Sequence, residues 1–167
     1  LTAELQAGEF SLALRYAEQQ LNAGAPILDI NVGAPMVDEC ALLPSLVQAV
    51  AGQYQLPLCV DSSNPKAIEL ALEAYPGSAL VNSINGEPGR IETLAPICLK
   101  YGAPFLLLPL TGGDLPFTGK ERIAILEKML TQLESLGVPN SLILVDVLAL
   151  AISSSPVAGK AALETIA

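Results

Sequence analysis

The sequence predicts an α/β fold in which helices cover a parallel β-sheet. Short apolar segments alternate with longer segments of helical periodicity, and the apolar segments are apolar at both odd and even positions. Parallel strands need connections long enough to hold a helix, and strands buried on both faces lack polar alternation. We therefore expect an initial helix followed by five βα units, with the strands buried on both faces.

Five apolar segments with turn-forming residues nearby are predicted to be strands. They are residues 26–33, 56–61, 79–82, 103–110 and 141–147. Each precedes a segment of helical periodicity. The first helix, which precedes all strands, is predicted over residues 9–22. The helices that follow the strands are predicted over residues 38–52, 64–75, 89–101 and 118–136, with a last one beginning at Ser155–Pro156.

Local signals mark three of these helix starts. Asn64 and Pro65 suit the N-cap and the first helical position, and Ser155–Pro156 repeats the pattern. Thr118 and Glu121 have the spacing of a capping box. Two architectures fit this order of elements, a doubly wound sheet and part of a (β/α)8 barrel. The first predicted strand is not followed by the glycine pattern of dinucleotide-binding folds, which weakens the doubly wound alternative.

A complete (β/α)8 barrel needs about 250 residues, and this chain has 167. It lacks an initiator Met, begins at Leu1 within a predicted helix, and ends at Ala167 within another apolar periodic segment. We therefore expect residues 1–167 to be a single domain cut from a longer protein.

Composition excludes several classes of function. With Lys+Arg 8, Asp+Glu 17 and a net charge of -9, the chain is unsuited to nucleic acid or to an anionic membrane surface. It has no uninterrupted apolar segment long enough to span a bilayer. The absence of histidine removes Ser-His-Asp and Cys-His catalysis and histidine-ligated zinc. Three dispersed cysteines indicate no metal site and a reducing, cytoplasmic location.

Polar residues cluster at the carboxyl ends of four predicted strands. They are Asp29 and Asn31, Asp61, Asn82, and Asp146. In a parallel sheet these ends converge on one rim, where such folds bind ligands. We expect Asp29 to be the buried, hydrogen-bonded structural member. The alternative roles are helix caps for Asp61 and Asp146 and a turn for Asn82, although Asn64 suits the cap position better than Asp61.

Carboxylates and carboxamides without nearby cations suit a ligand rich in N–H donors. The N3–H and 2-amino groups of a pterin match a carboxylate bidentately, and its acceptor edge suits an Asn amide. A purine or another donor-rich heterocycle fits the same residue types, so this chemistry permits a pterin without selecting it.

Four motifs in order resemble those of the pterin-binding methyltransferases, in the superfamily that includes dihydropteroate synthase. The motifs are Leu28-Asp29-Ile30-Asn31-Val32-Gly33, Val60-Asp61-Ser62-Ser63-Asn64, Val81-Asn82-Ser83-Ile84-Asn85 and Val145-Asp146. This group includes the methyltetrahydrofolate:corrinoid/iron–sulfur protein methyltransferase and the folate domain of cobalamin-dependent methionine synthase. The resemblance implies a TIM barrel of which this chain carries strands two to six.

The resemblance also implies the site. Asp61, Asn82 and Asp146 match pterin-contacting positions, with Asp146 at the amino and N3–H edge. Asn85 and Asn31 are further pterin-binding candidates. The family's N5-activating Asn lies on the seventh strand, beyond Ala167, so no catalytic residue is expected within the chain and the chain alone should be inactive. Val147 departs from the Pro or Cys found in several relatives.

The implied reaction passes the N5 methyl group of methyltetrahydrofolate, or of a related pterin, to Co(I) of a corrinoid. The cobalamin or other corrinoid would be carried by a partner protein or domain, and the full-length protein is expected to be a homodimer. Asn31-Val32-Gly33-Ala34-Pro35 replaces the glycine-rich segment of dihydropteroate synthases, which favours the methyltransferase branch. A dihydropteroate synthase-like enzyme and a noncatalytic βα scaffold remain the alternatives.

Overall fold

The computed structural model describes residues 1–151, 153 and 155–167. Strands and helices alternate as predicted, which confirms the α/β class. The elements are α1 Thr2–Gln6, α2 Ser11–Asn22, β1 Leu28–Asn31, α3 Glu39–Gln53, β2 Leu58–Asp61, α4 Pro65–Ala74, β3 Leu80–Asn85, α5 Arg90–Tyr101, β4 Phe105–Leu108, α6 Gly119–Ser135, β5 Ile143–Val145 and α7 Ala158–Ile166, with a 3₁₀ turn at Asn140–Leu142.

The chain divides into two compact units. The first comprises Leu1–Asn82 and Tyr101–Ala103, and the second comprises Ser83–Lys100 and Pro104–Ala167. The strand order is β1-β2-β3-β4-β5, with β3 passing from the first unit into the second. β1 pairs in parallel with β2, β2 with β3, and β4 with β5. The predicted parallel sheet is therefore present.

The first unit has its core between α3, α4 and the strands. Leu43 and Val47 of α3 and Ile68 of α4 are fully buried, as are Leu58 and Val60 of β2. Leu58 and Val60 are two residues apart and therefore lie on the same face of β2. The residues between and after them, Cys59 and Asp61, belong to the opposite face, where the polar side chains gather.

Two of the predicted caps are confirmed. The Asn64 side chain accepts hydrogen bonds from the backbone N–H groups of Lys66 at 3.0 Å and Ala67 at 3.4 Å, and Pro65 begins α4. Thr118 and Glu121 form the full capping box that begins α6. The prediction at Ser155–Pro156 is wrong. Ser155 precedes a turn at residues 156–157, and its carbonyl accepts from Ala158 N–H, so α7 begins only after Val157.

The prediction that all strands are buried on both faces is also wrong. In β1, Leu28 and Ile30 are buried whereas Asp29 and Asn31 are exposed, so Asp29 is not the buried member that we expected. In β5, Leu144 is 45% exposed. β1 and β5 stand first and last in the strand order of the described residues, so within that part of the chain each has one neighbouring strand, and fewer side chains are at hand to cover its faces.

β3 extends to Asn85, three residues beyond the predicted end. Asn82 is therefore a strand residue paired with Asp61, not the turn residue of the alternative interpretation. Among the helices that the structure describes, none is both long and apolar enough to cross a membrane.

Candidate pterin site

Three of the predicted site residues form one row across the sheet of the first unit. The strand register places Asn31 beside Asp61, and Asp61 beside Asn82. All three lie at the carboxyl end of the paired segment, on the face that also carries Asp29 and Cys59. The parallel register thus brings together the residues that the motifs singled out separately.

Hydrogen bonds join this row to Asp29. Asn31 Nδ2 donates to Asp61 Oδ2 at 2.7 Å, and Asn31 Oδ1 accepts from Gly33 N–H at 2.6 Å. Asn82 Nδ2 donates to Asp29 Oδ2 at 3.2 Å. Each carboxamide is therefore oriented by a partner, and Asn82 turns its amide NH₂ toward Asp29, which leaves its carbonyl oxygen to accept from a ligand.

Asp61 is the half-buried carboxylate of this row. Its pKa lies above the ordinary value because burial disfavours the charged form. The hydrogen bond from Asn31 lowers the pKa, while the charges of Asp29 and Glu39 raise it. An ionised Asp61 is therefore incompletely compensated, and a ligand that donates N–H groups would stabilise it.

Cys59 lies two residues before Asp61 in β2 and therefore on the same face of the sheet. It is buried, and burial raises the pKa of its thiol far above the ordinary range, with further contributions from its hydrogen bond to Asp29 and from the charges of Asp29 and Asp61. The residue is therefore a neutral, packed thiol rather than a nucleophile.

Contacts between the starts of α3 and α4 hold the segment that follows Asp61. The buried Ser62 hydroxyl donates to Glu39 Oε2, and Asn64 N–H donates to Ser62 Oγ at 2.9 Å. Asn64 Nδ2 also lies 3.5 Å from Cys40 Sγ. Asn64 takes the cap position, so the side chain of Asp61 is available to the sheet face. Sequence reasoning did not single out Ser62 or Glu39.

In the second unit, Asp146 follows β5 directly. Its N–H donates to Leu107 O at 3.1 Å, and its Oδ1 accepts from Leu148 N–H at 2.8 Å. Leu148 has φ +59°, in the left-handed region that L residues avoid. The exposed carboxylate of Asp146 is thus fixed on one oxygen by a strained loop.

Asn85 also lies in the second unit, at the end of β3. Its Oδ1 accepts from Glu87 N–H at 3.2 Å, which is a local turn contact. The half-buried side chain stands at the carboxyl end of β3, a strand that the sequence predicted to end at Asn82, and within the described residues its NH₂ group is left for another partner.

Arg122 holds the backbone that follows Asp146, and sequence reasoning missed it. Its side chain is fully buried, and it donates from Nη1 to the carbonyls of Val147 at 2.6 Å and Leu148 at 3.1 Å. The available signal was its helical position, because Arg122, Leu126, Met129 and Leu133 form one buried stripe of α6. A charged residue in an apolar stripe of this spacing needs buried partners.

In the parts of the chain that the structure describes, no group of three or more Cys, Asp or Glu side chains is arranged to hold an ion. The arrangement instead offers hydrogen-bond acceptors at strand ends, which suits an organic ligand with N–H donors.

A family model described as pterin binding enzyme matches residues 2–167. The chain belongs to the pterin binding enzyme family. The match spans nearly all of the chain, including both units and every polar strand end described above.

Among curated relatives, this family member is 26% identical to methionine synthase of Mycobacterium tuberculosis over 154 residues, which is 89% of this chain and 13% of that protein. The similarity is therefore to a small part of a much longer protein.

Among solved structures it is similar to dihydropteroate synthases. The Yersinia pestis enzyme in complex with a pterine–sulfa conjugate has a TM-score of 0.66 at 24% identity, over 83% of this chain and 55% of that one. The Burkholderia cenocepacia enzyme has a TM-score of 0.64 at 28% identity, over 80% of this chain and 51% of that one. The chain spans about half of each structure, and the likeness confirms a partial TIM barrel.

Proposed function

We propose that this chain is the pterin-binding part of a methyltransferase that takes the N5 methyl group of 5-methyltetrahydrofolate, or of a related pterin, and passes it to a corrinoid. The observation that carries the proposal is the row of Asn31, Asp61 and Asn82 at neighbouring strand ends, in which Asn31 is hydrogen-bonded to Asp61, in a chain similar to methionine synthase over 89% of its length. The matched segment makes up 13% of the length of that relative, so the activity of the full-length protein is proposed along with the binding of the pterin.

The proposed roles follow from donor and acceptor chemistry. Asp61 accepts from N–H groups of the pterin, and the carbonyl of Asn82, whose NH₂ is held by Asp29, accepts a further N–H. Asn31 is engaged at both polar ends and supports Asp61. Fixed partners of this kind reduce the entropy that must be lost when the pterin is oriented for reaction.

Asp146 and Asn85 are proposed as further pterin contacts, on the strength of their motifs. The Asp146 carboxylate has one oxygen held by Leu148 N–H, and the other is proposed to accept from the N3–H and amino edge of the ring. Asn85 offers its NH₂ group to an acceptor on the pterin.

The chemistry of the step sets one further requirement. A tertiary amine is a poor leaving group, so negative charge develops on N5 as the methyl group departs, and a donor or proton at N5 must bind more strongly in the transition state. The family resemblance assigns that donor to an Asn on a later strand. A corrinoid bound to a partner protein or domain would supply the Co(I) nucleophile.

Isothermal titration of the full-length protein with 5-methyltetrahydrofolate, without corrinoid, tests the proposal. We expect saturable binding at one site, followed by methyl transfer to cob(I)alamin detected from its absorption spectrum. Asp61→Asn should weaken binding, and Glu73→Gln, which neutralises an exposed carboxylate in the last turn of α4, should not. A folded protein that binds no pterin would reject the proposal and favour a noncatalytic scaffold.

A dihydropteroate synthase-like activity is the second candidate, because the solved structures above are dihydropteroate synthases. Titration with 6-hydroxymethyl-dihydropterin diphosphate separates the two. The chain has only 8 Lys and Arg residues, and the row of the first unit contains no cation to receive a diphosphate. We therefore expect the methylated folate to bind more tightly, and the reverse order would favour the synthase.

A further inference from the structure

A fully buried arginine of α6 fastens the backbone that carries Asp146. Arg122 donates through Nε to Pro116 O at 3.0 Å and through Nη1 to Val147 O and Leu148 O at 2.6 and 3.1 Å. We propose that Arg122 is a positioning residue that holds the Asp146 carboxylate in the orientation in which it meets the pterin. This inference rests on the proposed function.

The guanidinium connects two loops of the second unit. Pro116 belongs to the loop between β4 and α6, and Val147 and Leu148 belong to the segment after β5. Because the guanidinium is planar and its donors point in fixed directions, its three hydrogen bonds set the positions of both loops relative to α6. A lysine could place a positive charge there, but its single ammonium group could not donate to all three carbonyls in these directions.

One connection from Arg122 to the Asp146 side chain passes through Leu148. Leu148 is held by its carbonyl, which accepts from Arg122, while its N–H donates to Asp146 Oδ1 at 2.8 Å. Its φ of +59° is unfavourable for an L residue and persists only where the surroundings enforce it. Without Arg122, Leu148 would relax toward negative φ and its N–H would turn away from Asp146.

Packing alone does not account for an arginine at this position. The rest of the buried stripe of α6 is apolar, namely Leu126, Met129 and Leu133. Burying a charge is unfavourable, and Arg122 Nη2 is buried without a hydrogen-bond partner in the described parts of the chain. The donor geometry is therefore what the arginine contributes, and the loop with Asp146 receives two of its three hydrogen bonds.

The test compares Arg122→Lys and Arg122→Met with Leu126→Ala in the full-length protein. Leu126 is buried one turn further along the same face of α6, so its truncation lowers the stability of the helix packing without removing a donor. Dissociation constants for 5-methyltetrahydrofolate are measured together with unfolding by urea. We expect Arg122→Lys to bind at least about tenfold more weakly, and Leu126→Ala, at a similar loss of stability, to bind as the parent does.

A double-mutant cycle distinguishes an effect of Arg122 that acts through Asp146 from a general effect on the stability of the fold. If Arg122 acts through Asp146, Arg122→Lys should have no further effect on affinity in an Asp146→Ala background. Additive losses, or equal losses for Arg122→Lys and Leu126→Ala, would overturn the inference. Should Arg122→Met fail to fold, Arg122→Lys carries the comparison.

Hydrogen exchange separates this inference from the proposed function. Mass spectrometry follows deuterium uptake in a peptide that contains Leu148, without any ligand. Faster exchange there in Arg122→Lys than in Leu126→Ala supports the role of Arg122, and equal exchange overturns it. A parent protein that binds no pterin would overturn the proposed function, while the exchange result would still decide whether Arg122 positions Asp146.

Discussion

The amide of Asn31 donates to the carboxylate of Asp61 across the β1–β2 pair, with 2.7 Å between Nδ2 and Oδ2. The other end of that amide accepts from Gly33 N–H at 2.6 Å. Both polar ends of Asn31 are thus engaged within the protein. This geometry favours a role for Asn31 in orienting Asp61, and direct contact with a pterin stays a prediction.

Asp61→Asn should separate stability from binding. The pKa of Asp61 is raised, chiefly by burial, so between its ordinary pKa and the raised one the native state binds more protons than the unfolded state. The free energy of unfolding therefore falls as the pH rises through that window, and an asparagine, which cannot ionise, removes this fall. At pH 7 we expect unchanged or greater stability but roughly 10–100-fold weaker binding of methyltetrahydrofolate.

Urea unfolding at several pH values and isothermal titration check both parts. Glu73→Gln, with the same change in charge on an exposed residue, is the control for net charge. A lower stability of Asp61→Asn at pH 7 would show that the ionised carboxylate is stabilising after all, and unchanged affinity would remove Asp61 from the site.

Asp146→Ala should weaken pterin binding by about 1.5–3 kcal/mol, the contribution of a hydrogen bond to a charged partner. The fold should be little changed, because the residue is exposed and its backbone N–H keeps its bond to Leu107 O. Isothermal titration gives the affinity, and circular dichroism the fold. An unchanged dissociation constant would exclude Asp146 as a ligand-binding residue.

Local signals predicted more of this structure than long-range ones. The caps at Asn64 and Thr118 depend on residues within a single turn and were predictable. The row of Asn31, Asp61 and Asn82 followed from the rule that parallel strands end at the same edge. Arg122 could not be assigned, because its partners lie up to 26 residues away, in loops whose course the sequence pattern leaves undetermined.

Edge effects account for the main error. The apolar composition of the strands suggested cover on both faces, and this holds in β2, where Leu58, Cys59 and Val60 are all buried. In β1 it fails, since Asp29 is exposed. An apolar composition shows that the side chains of a strand can be buried, whereas the neighbouring strands and helices determine which of them are buried.

Gly119→Ala should destabilise the second unit. A Cβ at this first residue of α6 would lie 2.4 Å from Cβ of Glu164 in α7, so the helices would have to separate. We expect a loss of about 1–3 kcal/mol in urea unfolding. Gly159→Ala is the matched control, since no atom of the described residues lies within 4 Å of its added Cβ. That variant should gain up to about 1 kcal/mol from helix propensity. Equal effects of the two variants would contradict the close approach.

The three cysteines should react at different rates. Burial raises the pKa of the Cys98 thiol to about 12 and that of Cys59 still further, whereas Cys40 is partly exposed. Because the thiolate is the reactive form, iodoacetamide at pH 8 should modify Cys40 in the native protein and leave the other two intact. Mass spectrometry locates the adducts, and the same reaction in urea should modify all three. Rapid native labelling of Cys59 would contradict its burial beneath Asp61.

Met36→Gly should stabilise the first unit. Met36 has φ +63° and is 96% exposed, so its side chain contributes almost no packing while its Cβ makes the left-handed backbone unfavourable. That conformation costs an L residue about 1–2 kcal/mol, whereas the additional freedom of glycine in the unfolded chain costs roughly 0.5–1 kcal/mol. A net gain of about 0.5–1 kcal/mol in urea unfolding should follow. Met36→Ala retains the Cβ and should gain nothing, so equal stabilisation by alanine would show that removal of the exposed side chain, and not relief at φ, is responsible.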